Sequence, residues 1–260
     1  MLAGKQKKKS DEFDALIVGI IATFAFYGLI WLVFFIFLKN PYHRFFILLG
    51  GKWPEGIIQL STYFCFFWAI NMLSSKERKL NWETKAFELQ LLPEQEHKIL
   101  LPDEINNLRL KLFDITNWDE SLVVKTLKMA STKFRANKSV PETLDVVKMQ
   151  SDINLNNLDT SYSIIKYLAW SIPSIGFIGT VIGISGALGQ IDKAAAGDMS
   201  AVTVILGTAF DTTLVALLVS IFLMYKIHKT QQSEELFILS VQEYILENFI
   251  NRIYVPKNER

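Results

Sequence analysis

The sequence predicts an all-α polytopic membrane protein with four transmembrane helices and a small helical cytoplasmic domain. Half of the 260 residues are apolar, 19 of them Phe and 6 Trp, while a fifth are charged. Mean hydropathy is positive. A single soluble core has no need of that apolar excess, so the chain divides into membrane spans and a polar part. Four apolar stretches reach the length of about 20 residues that a bilayer requires.

The first stretch runs from Ala15 to Leu38. Its apolar run is too long for a cleaved leader and no small-residue cleavage site follows, so it is expected to remain as an anchor. Residues 40–56 form a short outer loop, in which Phe45 to Leu49 are apolar enough to dip into the interface. The second stretch, Ile57 to Leu73, is near the lower limit of length. Residues 1–14 precede these two peripheral spans, which together occupy 15–73.

Residues 74–160 read as a helical domain. Asp103 is placed to cap a helix carrying Ile105, Leu108 and Leu112. Val123, Leu127, Ala130 and Phe134 form a second apolar stripe. Ser139-Val140-Pro141-Glu142 starts a third helix, whose apolar positions continue as Leu144, Val147, Leu155, Leu158, Tyr162 and Ile165. Neither Pro nor Gly interrupts it before Pro173, so one helix of about 75 Å is expected from 141 to 190 at 1.5 Å per residue. It contains the third span, about Ile164 to Leu188, and the fourth runs from Ala201 to Ile227. The two spans fall in 161–227, and the amphipathic tail, 228–260, prolongs the last of them.

Positive charge orients the chain. With both termini and the 74–163 segment on one side, that side carries 22 Lys and Arg and the other 4. The richer side is expected to be the cytoplasm. A net charge of +1 gives no general attraction to nucleic acid. Cys65 is the single cysteine and excludes an internal disulfide; His43, His97 and His228 are scattered, so no metal site is expected. There is no nucleophile–histidine pair and no phosphate-binding loop, which argues against an enzyme.

Functional signals concentrate in the last two spans. In the third, Gly176, Gly179, Gly183 and Gly186 share one helix face, a spacing that lets helices approach closely. Thr180 lies beside that stripe, where its hydroxyl can bond its own backbone. Pro173 removes a backbone donor, which spans tolerate. In the fourth, Ala209, Thr213, Ala216 and Ser220 form a small, slightly polar face. Asp211 lies near mid-span, about 15 Å into the helix. A carboxylate at that depth is costly; it marks either function or a structural carboxyl bonded to a neighbour. Asp211 and Thr213 point to nearly opposite sides, so if Thr213 lines a pore, Asp211 faces a neighbouring helix or subunit.

The run Pro173-Ser174-Ile175-Gly176-Phe177-Ile178-Gly179-Thr180-Val181-Ile182-Gly183, followed by Ala209-Phe210-Asp211-Thr212-Thr213-Leu214-Val215-Ala216, resembles the MotA/TolQ/ExbB proton channel family. Two spans before the large loop resemble MotA. The resemblance implies an ion-driven stator subunit of the bacterial inner membrane with cytoplasmic termini. It implies a homopentamer around a dimer of a single-span MotB/TolR/ExbD-like protein, whose transmembrane Asp carries the proton. It places Thr180 and Thr213 on the ion path, with Thr212 and Asp211 beside them. Pro173, the four glycines, Ala209 and Ala216 then shape and pack the pore-lining helices. Asp211 departs from the apolar or small residue common there. No cofactor is implied beyond the transported H⁺ or Na⁺; lipid surrounds the spans, and a cytoplasmic or rotor partner would use 74–160. The competing reading is a non-conducting scaffold or assembly anchor, which needs the small residues but neither Asp211 nor the threonine pair.

Overall fold

A computed structural model describes residues 2–35, 44–51, 53, 56–93, 98–115 and 118–255, with the side chains of 2–12 and Lys193 excepted. The expected end of the first span at Leu38, and His43 and His97, lie outside them. The architecture is all-helical, and one isolated bridge, Leu100 with Ile253, is the extended pairing among the described residues.

The elements in order are α1 (Leu2–Val33), α2 (Arg44–Leu48), α3 (Ile57–Thr84), a 3₁₀ turn (Lys85–Leu89), α4 (Pro102–Asp114), α5 (Leu122–Asn137), α6 (Val140–Ser161), α7 (Ser163–Leu188), α8 (Ile191–Ala195) and α9 (Ser200–Asn248). Four helical stretches are long and apolar enough to cross a membrane: Phe13–Val33, Ile57–Leu89, Val140–Leu188 and Ser200–Arg252. They contain the second, third and fourth spans read from hydropathy, and the first as far as Val33.

The chain divides into two compact units. One comprises Met1–Ser75 with Ser163–His228, the other Lys76–Tyr162 with Lys229–Arg260. The second is built on amphipathic helices. Val123, Leu127, Ala130 and Phe134 of α5 are at most 1% exposed and pack with Ile105 and Leu112 of α4, Val147 of α6, and Phe237, Val241 and Ile245 of α9. Ser139 caps α6, its hydroxyl accepting from the Glu142 N–H at 3.4 Å. That bond satisfies one of the four unpaired donors of a helix start.

One expectation is corrected and a second is refined. Helix α4 begins one residue before Asp103: Pro102 takes the first turn and Leu101 the cap position. Glu104 performs the capping, accepting the Leu101 N–H at 3.1 Å, while Asp103 sits in the first turn, where its charge suits the helix dipole. The helix expected from 141 to 190 runs as one stretch over Val140–Leu188, interrupted by a one-residue turn at Tyr162. Its N–H donates to Asp159 O at 3.1 Å, three residues back instead of four, and the helix restarts at Ser163. Tyr162 is fully buried there, with the Lys76 Nζ 4.2 Å from its ring centroid.

Within the first unit, α2 lies against the spans and does not merely touch an interface. Phe46 stacks on Phe34 at 3.9 Å, meets Trp31 edge-on, and shares a cluster with Tyr63 and Val215.

Candidate functional site: a threonine pair at a glycine-notched helix crossing

Helices α7 and α9 meet through the absence of side chains. A methyl group on Gly176 would lie 2.5 Å from the Ala216 Cβ and 3.2 Å from the Thr213 Cα. One on Gly179 would lie 2.5 Å from the Thr212 Oγ1, and one on Gly183 would lie 3.1 Å from the Ala209 Cα and overlap its Cβ. Three glycines of α7 thus accept Ala209, Thr212, Thr213 and Ala216 of α9. In a bilayer, where lipid tails are as apolar as leucine, such close contact is what binds helices. Gly186 stands outside this crossing, since its added methyl would meet only Ile205, at an ordinary 3.6 Å. Pro173 lies within α7, which continues through it.

The close approach brings two hydroxyls together. Thr180 and Thr213 share a short Oγ1···Oγ1 hydrogen bond. Thr213 donates to Gly176 O at 2.9 Å, which leaves its lone pairs to accept from Thr180. Thr180 also lies 3.3 Å from Ala209 O, across the crossing. Thr212 is buried and donates to its own helix at Ala209 O, 2.7 Å, with Gly176 O at 3.4 Å. Three hydroxyls and two carbonyls therefore meet at mid-crossing. A threonine hydroxyl both donates and accepts. The set can relay a proton by exchanging donor and acceptor roles, or offer oxygen ligands to a hard cation. It has no group that takes up a proton at neutral pH.

Asp211 is the one carboxylate within residues 15–38, 57–73, 164–188 and 201–227, the spans read from hydropathy, and it is not part of this set. It is 2% exposed and lies on the opposite flank of α9 from Thr213. Both of its oxygens accept from Arg44, Oδ1 from Nη2 at 2.6 Å and Oδ2 from Nη1. Two parallel bonds of this kind are the strongest arrangement for an arginine and a carboxylate. The partner of Asp211 within the chain is thus the first residue of α2. Arg44 was legible only as one charge of the outer loop; nothing in its local pattern points 167 residues ahead.

No metal-binding group of three or more His, Cys, Asp or Glu occurs among the described residues. No curated protein and no solved structure gives a significant match to the chain. Residues 116–243, just under half of the chain and including α5, α6, α7 and most of α9, match the model of the MotA/TolQ/ExbB proton channel family, which bears out the resemblance.

Proposed function

We propose that this chain is the channel-forming subunit of an ion-driven stator, which encircles a single-span partner and couples ion flow to rotation or force on another component. The observation that carries the reading is the Thr180–Thr213 pair together with the engagement of Asp211 by Arg44. The crossing provides a polar path without a carrier. A proton moving across the membrane on a carboxylate needs that carboxylate from elsewhere, and a partner's transmembrane aspartate supplies it. One elementary charge crossing 100 mV yields about 2.3 kcal/mol. A carboxylate that is charged beside the hydroxyls and neutral elsewhere converts that energy into stepwise motion.

The assembly is a homopentamer around two copies of a MotB/TolR/ExbD-like protein in the bacterial inner membrane, with both termini cytoplasmic. The free faces of α7 and α9 are consistent with it. Phe177, Ile178 and Val181 of α7 and Phe210, Leu214 and Leu217 of α9 are exposed, and apolar faces of that extent require neighbours or lipid.

The test is flux. The chain is co-reconstituted with its single-span partner in vesicles, a potential of inside-negative sign is imposed, and H⁺ and Na⁺ uptake are followed separately. One of the two ions enters the wild-type vesicles, and a Thr180→Val/Thr213→Val double variant loses that uptake. Undiminished uptake by the double variant would refute the path and favour the scaffold reading.

A further inference from the structure

The short helix α2 is bound at both ends. At its start, Arg44 engages Asp211 of α9. At its end, three successive carbonyls accept from span side chains: Leu48 O from Gln59 Nε2 at 3.4 Å, Leu49 O from the Tyr63 hydroxyl at 3.3 Å, and Gly50 O from the Tyr27 hydroxyl. The last carbonyls of a helix have no partner within it. In apolar surroundings each would be costly, and here α1 and α3 satisfy them. Gly50 makes the turn possible: its φ is +93°, and a Cβ there would lie 2.8 Å from the Gln59 Cβ. Between the two ends Phe46 is buried on Phe34, Tyr63 and Val215. Residues 44–51 are thus tied to α1, α3 and α9 at once.

We propose that residues 44–51 are an inward-folded strap that sets the rotation of α9 about its own axis, with Arg44 and Asp211 as positioning residues that hold Thr213 against Thr180. The inference rests on the proposed ion path and assigns Asp211 a place outside it. Successive residues turn about 100° on a helix, so an anchor at 211 determines where 213 points, on the other flank. An arginine does not give up its proton in a protein. A carboxylate with both oxygens engaged by one is a fixed strut, not a shuttle. The arrangement also explains why an acidic residue is tolerated at this depth: its counter-charge comes with the fold.

The experiment compares Arg44→Gln, Asp211→Asn and the double variant Arg44→Gln/Asp211→Asn in the full-length complex. Thermal unfolding in detergent and vesicle flux as a function of pH are the readouts. Each single variant strands one charged partner and is expected to lower both Tm and flux. The double variant, with two amides that can still bond, recovers most of the Tm and most of the flux, with the wild-type pH profile. Arg44→Lys, which keeps the charge but loses the paired bonds, falls between. If Asp211 carries the ion, Asp211→Asn and the double variant both abolish flux while Tm is retained, and the strap proposal is overturned. Strictly additive losses of Tm, with no recovery in the double variant, overturn it equally. A wild-type complex that conducts neither ion removes the proposed function, yet the Tm coupling between positions 44 and 211 still decides whether the strap exists.

Discussion

At the scale of single residues, the Thr180–Thr213 bond sets the expected chemistry. Replacing Thr213 by Val keeps the shape and deletes the hydroxyl that bonds both Thr180 and Gly176 O. A hydrogen bond to a charged group contributes about 1.5–3 kcal/mol, so flux should fall roughly ten- to a hundredfold. Thr213→Ser retains the hydroxyl and should stay near wild type in the same vesicle assay. The tyrosines of α1 and α3 that bond the strap report on stability instead. Tyr63→Phe leaves Leu49 O unsatisfied and should cost about 1–3 kcal/mol, read as a lower Tm in detergent with no change in ion selectivity. The threonines and glycines of the crossing were legible because a helix face repeats along the chain, and small residues on that repeat announce a close approach. The Arg44–Asp211 pair was not, because it joins two segments with no shared periodicity. Chemistry alone did announce that a carboxylate at position 211 needs a partner; which partner is a fact of tertiary structure.

At the scale of elements, the crossing of α7 and α9 is the part most sensitive to volume. A side chain at Gly183 would overlap Ala209. Gly183→Val should therefore separate the helices, costing about 1–3 kcal/mol or more, and it should abolish flux along with the threonine contact. Gly186→Ala should be neutral in both assays, because its methyl meets only Ile205 at 3.6 Å. These paired outcomes, read by Tm and flux together, separate the three notches from the fourth glycine of the same stripe. The spans themselves were plain in the hydropathy of the chain. Two elements were not. Helix α2 has five residues, too few for any periodicity to register. The turn at Tyr162 carries no proline or glycine, so nothing in the local sequence marks it.

At the scale of the whole molecule, one chain holds a membrane unit with the threonine crossing and a second unit with its own core. Leu127 is fully buried in the latter, among Val123, Phe134 and Ile245. Leu127→Ala should destabilise that unit by about 2–5 kcal/mol. Amide exchange resolved by peptide should show faster opening across 102–137 while the 176–216 crossing retains its protection. The central claim, however, is about more than one chain: a ring with a carrier inside it. The most direct test is to co-express this protein with single-span candidates, purify the complex in mild detergent, and count subunits by native mass spectrometry. The account predicts five copies of this chain with two copies of a single-span protein that has an aspartate in its span. A monomer, or a symmetric ring that retains no single-span partner under any mild condition, would contradict it.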